Sequence, residues 1–124
     1  MAKAERKSFS SPDETRTFEK GKVDLVKVDG KLVARLTLEP GWKWSEHVKP
    51  TAGTEWCEVE HFQYHVSGRI HVAMSDGTEF DVGSGEISAL PRGHDAWVVG
   101  DEPVVLIDWE GARDYAKHWQ GAGK

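Results

Sequence analysis

Apolar and polar residues alternate with a period of two along much of the chain. "KVDLVKV" (22–28) and "KLVARLTLEP" (31–40) are Val- and Leu-rich alternating runs joined by Asp29-Gly30. That dipeptide tolerates the positive φ values of a tight turn, so the two runs predict a β-hairpin. The same device recurs where "RIHVAMS" and "TEFDV" flank Asp76-Gly77. "EISALP", "DAWVVG" and "VVLIDWEG" continue the series. About eight short strands separated by turn signals predict an all-β fold, a sandwich or barrel. Residues 1–21 are polar, carry Ser10, Ser11 and Pro12, and read as an N-terminal arm. Only "ARDYAKHWQ" (112–120) has helix-like composition, which predicts a short C-terminal helical segment. The expected organisation is a single domain, with an arm at 1–21, a β-barrel over 22–111 and a short helix and tail at 112–124.

Composition adjusts this picture in few places. The chain of 124 residues suits one domain, and its modest 38% hydrophobic content includes six tryptophans, which concentrate apolar volume in large rings. The single cysteine, Cys57, excludes an internal disulfide framework and leaves a free thiol or a ligand. The opening "MAKAERKSFS" lacks an apolar signal region and no stretch is long enough to span a bilayer, so a cytoplasmic location is expected. A net charge of -5 with acids and bases interspersed offers no basic patch for nucleic acid or an anionic membrane.

The candidate chemistry lies in the histidines. In "EHFQYHVSG" (60–68), His61, Gln63 and His65 share one face of a predicted strand, with Phe62, Tyr64 and Val66 on the other. In "PGWKWSEHVKP", Trp42, Trp44 and Glu46 alternate with Lys43, Ser45 and His47, so His47 is expected to end a strand at a Pro-bounded rim. In "LPRGHDAWVV", His94 follows a Pro-x-Gly bend and sits near a strand start. Three imidazoles from three separate strands would form a facial metal cluster with open positions, if they converge. His71 shares a face with Arg69 and reads as outward, and His118 reads as a solvated helix residue. The Gly-Ser-Gly at 83–85 lies between strands with no helix following, so it reads as a turn and not a phosphate loop.

The stretch from Gly41 to Gly100 resembles the double-block signature of the cupin superfamily, small β-barrels that commonly bind one divalent metal. Gly41 and His47 fit the opening of the first block, and Gly68 closes it with His61 in the slot usually held by Glu. Gly85, Pro91 and Gly93 fit the second block. Lys49 stands in the second His slot and Ala96 in the last, with His94 two residues earlier, about 6.6 Å along a strand but on the same face. The resemblance implies a small single-domain cupin, a double-stranded β-helix or jelly-roll barrel, with an interior face bearing His61, Gln63 and His65.

On this resemblance His47, His61 and His94 would hold a divalent transition metal. Cys57 is a possible fourth ligand, four residues before His61; on a continuous strand the two would stand about 13 Å apart, so a bulge or loop would have to bring them together. With the thiolate bound, zinc is favoured; without it, zinc, iron, manganese, nickel or copper would suit the site and the sequence does not choose among them. Asp95, Glu58 and Glu60 are the candidate acceptors for the ring N–H groups of the ligands. Gln63, His65, Trp44, Trp56, Phe62 and Trp97 are expected to line a pocket for a small-molecule ligand or substrate. The reading is a metal-binding cupin acting as an enzyme on a small polar molecule, or else a non-catalytic ligand-binding or sensory module. A homodimer formed through a strand near residues 22–38 is expected from the need to cover strand edges.

Overall fold

The hairpin signalled by Asp29-Gly30 forms as expected: β2 (Gly21–Val28) pairs antiparallel with β3 (Lys31–Leu38), Val28 opposite Lys31. Asp29 at φ 51° and Gly30 at φ 73° make the two-residue turn, whose left-handed pair matches the twist of the strands it joins. These features come from a computed structural model, which describes residues 3–109; the C-terminal helical segment expected at 112–120 lies outside them.

Seven further strands complete the fold: β1 (Glu14–Phe18), β4 (His61–Ser67), β5 (Ile70–Met74), β6 (Glu79–Val82), β7 (Ile87–Leu90), β8 (His94–Val98) and β9 (Val104–Asp108). They assemble into a six-stranded sheet ordered β1-β2-β3-β9-β4-β7 and a three-stranded sheet ordered β6-β5-β8. The architecture is a mostly β, two-sheet sandwich. Val23, Leu25, Leu36, Leu38, Leu106, Val72 and Val98 project from the two sheets into one apolar core. No helix among the described residues is long and apolar enough to cross a membrane.

Three sequence expectations change. β1 lies within the stretch read as an arm; its sequence ETRTF has no apolar alternation, and its Arg16 is buried beside the Glu14 carboxylate 2.9 Å away. Residues 44–52 are not a strand. They form two single-turn helices, α1 (Trp44–His47) and α2 (Lys49–Ala52), the second with Pro50 in its first turn and Gly53 at φ 76° closing it. Trp44 is buried from this helix, so the apparent alternation of Trp42 and Trp44 arises from a turn packed on the core. Finally, β2 and β3 are interior strands flanked by β1 and β9, so the edge on which a dimer through residues 22–38 would pair does not exist. The edge strands are β1 and β7 in the six-stranded sheet and β6 and β8 in the three-stranded one.

Candidate metal site

β4 carries the alternation HFQYHVS, and its odd-numbered residues His61, Gln63 and His65 are all buried while Phe62, Tyr64 and Val66 are exposed. The polar face therefore looks inward, as the cupin resemblance implied for His61 and as period two carries to Gln63 and His65. Phe62 accordingly belongs to the outer face, where its ring lies 5.9 Å from that of Trp109, and does not line the interior.

Cys57 reaches this face by a route that strand geometry alone does not provide. It forms an isolated bridge with His94, its N–H donating to the His94 carbonyl at 2.8 Å and its carbonyl accepting from Gly93 N–H at 2.8 Å. Residues 58–60 run without regular structure between this bridge and β4. That loop folds the thiol back, so Cys57 Sγ lies 4.0 Å from His61 Nε2. His94 opens β8, inward with Ala96 and Val98, and its ring centroid is 5.2 Å from that of His61. One ligand atom from each of Cys57, His61 and His94 lies within 4.8 Å of the others, and all three residues are buried.

The hydrogen bonds fix which ring atoms are available. Asp108 Oδ2 accepts from His61 Nδ1 at 2.5 Å, and the Pro91 carbonyl accepts from His94 Nδ1 at 3.0 Å. Carboxylate and carbonyl oxygens only accept here, so each Nδ1 bears a proton and Nε2 is the ring atom each histidine turns to the cluster. Gln63 holds the same carboxylate, its Nε2 donating to Asp108 Oδ2 at 3.5 Å, and its Oε1 accepts from Ser88 Oγ at 3.5 Å. Ser88 in turn lies 2.9 Å from His65 Nε2. With the hydroxyl proton directed at Gln63, His65 Nε2–H is the donor, which leaves His65 Nδ1 a buried lone pair with no protein partner. Burial holds the His65 imidazole below its usual range, hence neutral.

Charge is distributed accordingly. Burial by itself pushes the Cys57 thiol up, but hydrogen bonds from His61 and His94 outweigh it and hold the thiol down at about 6. Burial likewise pushes the His61 imidazole down, but the Asp108 carboxylate and the Cys57 sulfur hold it up at about 9. The cluster thus favours a thiolate facing a cation, the electrostatic condition a metal also satisfies.

The donor set fits a transition metal. A tetrahedral zinc ion needs S and N ligands about 3.3–3.6 Å apart, so side-chain shifts of about 0.5–1 Å would close the cluster on one ion. A thiolate with two imidazoles, each oriented by an acceptor on its other nitrogen, is the ligand chemistry of such sites. The cluster opens on a cavity of about 30 Å³, lined by Trp42, Trp44, Gln63, Ala96, Leu36 and Leu106 among others.

The remaining expected residues lie elsewhere. His47 ends α1 with its Nδ1 accepting from Lys43 N–H at 3.0 Å and its Nε2 3.8 Å from Glu19 Oε2, outside the cluster. Of the expected pocket residues, Gln63 and Trp44 line the cavity; His65 is buried beyond it against Ser88. Trp97 faces outward, 4.6 Å from the His71 ring and under Lys43 Nζ, and Trp56 is half-buried outside the lining. Asp95 accepts from Ser45 N–H at 3.1 Å and so orients α1, not His94. The acceptor that sequence reasoning missed is Asp108. Its signal was present: an acid on the same parity as Val104 and Leu106 in a strand that is otherwise apolar.

Solved structures share this arrangement of strands. An oxalate decarboxylase of Lactobacillus farciminis, in a formate complex, superposes with a TM-score of 0.56 at 21% identity over 79% of this chain and 31% of its own. A second oxalate decarboxylase, from Bacillus subtilis, does so with a TM-score of 0.55 at 28% identity over 81% of this chain and 28% of its own. The polyketide cyclase RemF of Streptomyces resistomycificus gives 0.60 at 17% identity over 86% and 78%. The chain has a cupin fold. It spans about a third of the length of the oxalate decarboxylases it matches. No protein-family model matches this chain, and no curated protein matches it by sequence. The buried Cys57, His61 and His94 group fits a metal-binding cupin.

Proposed function

We propose that this cupin holds one divalent transition metal, zinc being favoured by the thiolate, through Cys57 Sγ, His61 Nε2 and His94 Nε2, and is an enzyme acting on a small polar molecule. The observation that carries the reading is the convergence of these three buried donor atoms within 4.8 Å of one another. Three protein donors leave a tetrahedral ion one open position, the pattern of catalytic and not of structural sites. When bound, such an ion supplies Lewis acidity and a lowered pKa for coordinated water.

The chain's own residues support that chemistry. Asp108 and the Pro91 carbonyl lock the two rings with Nε2 forward, so little reorganisation is needed on loading. Leu36, Leu38, Leu90 and Leu106 exclude bulk water and raise the strength of every polar interaction in the cavity. Enzymes among the structural neighbours, the oxalate decarboxylases and the cyclase, support the enzymatic reading. The small cavity, about 30 Å³, also suits a sensory module that reports a ligand of few atoms, the second reading.

The test is the metal content of protein purified without chelator, repeated on His61→Ala. One equivalent per chain that vanishes in the variant is expected. Metal-free protein in both cases, with no uptake of added zinc, overturns the site. Relaxation of metal-bound water in the loaded protein then separates the readings: a fully closed centre without exchangeable water rejects the enzyme.

A further inference from the structure

One of the residues lining the cavity beside the cluster carries a buried polar group without a protein partner. Trp42 lines it, is 3% exposed, and its indole Nε1–H is buried with no protein acceptor. Around it the wall is mostly apolar, and Gln63 is engaged at both ends of its amide, by Asp108 and by Ser88. A buried donor without an acceptor costs about 1–3 kcal/mol, and an indole N–H can only donate. Sheet contacts fix the residue in place, since the Trp42 carbonyl accepts from Val98 N–H at 3.0 Å.

We infer that Trp42 is a specificity-determining residue of this cavity, its indole N–H donating to a small ligand that carries one electron-pair donor toward the Cys57, His61 and His94 cluster and another toward the indole. This deepens the proposed function and rests on it for the ligand's first anchor. Size and chemistry narrow the class. A water needs roughly 10–15 Å³ of such space, so a cavity of about 30 Å³ admits two or three heavy atoms with modest breathing of the wall. Both anchors demand lone pairs, and the one side-chain amide in the lining, Gln63, already takes a proton from Ser88 at its Oε1. The class is therefore a compact monoanion with acceptor atoms at both ends, such as a minimal carboxylate or a linear triatomic anion. Ammonium, short alcohols bound through their O–H, and apolar gases lack the second acceptor or add an unmatched donor. Discrimination of this kind is strong because a mismatched ligand leaves the buried indole N–H unsatisfied.

The experiment uses the full chain, zinc-loaded and labelled with 15N at the tryptophan indoles, titrated with azide and with formate. Comparison with Trp42→Phe, which keeps a ring but deletes the donor, assigns the Trp42 resonance. A downfield shift of that indole proton on saturation, with azide or formate binding about tenfold weaker in Trp42→Phe at unchanged metal content, is the expected result. An unmoved Trp42 indole at saturation, equal affinity in the variant, or no binding of either anion to the loaded protein overturns the inference. Should Trp42→Phe fail to fold, single Phe variants of the other five tryptophans assign the Trp42 resonance by elimination, and its shift in the parent protein still decides. Protein that takes up no metal yet shows the indole shift with anion would sink the metal reading and leave the Trp42 assignment standing.

Discussion

His61 on β4 donates its Nδ1 proton to Asp108 on β9 at 2.5 Å, a buried contact between residues 47 positions apart. The carboxylate sets the tautomer and raises the basicity of the ring that faces the thiol. Asp108→Asn keeps the shape and removes the charge. Zinc affinity, measured by competition with a chromophoric chelator, is expected to fall about 10–100-fold while stoichiometry at saturation stays at one. An unchanged affinity would remove Asp108 from the account.

Ala96 occupies β8 two residues after His94, faces inward and lines the cavity. Ala96→Val adds two methyl groups to a space of about 30 Å³. The variant is expected to load metal normally but to exclude azide, read by the spectrum of the cobalt-substituted protein. Retained azide binding would place the open position elsewhere.

His47 lies outside the cluster, at the end of α1. His47→Ala is therefore expected to retain a full equivalent of metal, measured by elemental analysis beside Cys57→Ser, which is expected to lose most of it. Loss in His47→Ala would restore that residue as a ligand.

His71 on the outer face donates to two carboxylates, from Nδ1 to Asp81 Oδ1 at 2.6 Å and from Nε2 to Glu79 Oε1 at 2.8 Å. Asp81 first, then Glu79, raises its pKa above the ordinary 6.5. A base raised on folding contributes stability that is fully present below about 6.5 and is lost as pH rises through the folded value. The difference in urea midpoint between the parent protein and His71→Gln should thus be largest near pH 5–6 and shrink in alkaline solution. The stacked Trp97 offers a fluorescence readout of the same titration. A difference that does not vary with pH would show that the pairs are screened.

Gly68 sits at φ 80° after β4, where an added Cβ would stand 2.4 Å from the Pro103 carbonyl oxygen and 2.8 Å from Val104 Cα. Both neighbours are backbone, so nothing cheap can move. Gly68→Ala is expected to destabilise by about 2–4 kcal/mol in urea unfolding with an unchanged m value. A loss under about 0.5 kcal/mol would mean that the β4–β9 connection adapts freely.

Period-two alternation is a local property, which is why so much of the strand content and the shared face of His61, Gln63 and His65 could be read from the chain alone, whereas the inward direction of that face was implied by the cupin resemblance. The Asp29-Gly30 hairpin was legible for the same reason, since the φ values it needs belong to the two residues themselves. The meeting of Cys57 with His94 is not local. It depends on a bridge outside any regular strand and on a loop at 58–60, neither of which has a periodic signature. Sequence spacing also misled at Trp42, Trp44 and His47, because a single helical turn is too short to impose a 3.6-residue pattern that would contradict an apparent alternation. Asp108 shows the division best. Its inward parity follows from the letters of β9, but its choice of His61 as partner follows from which strands lie side by side, and only the assembled sheets decide that.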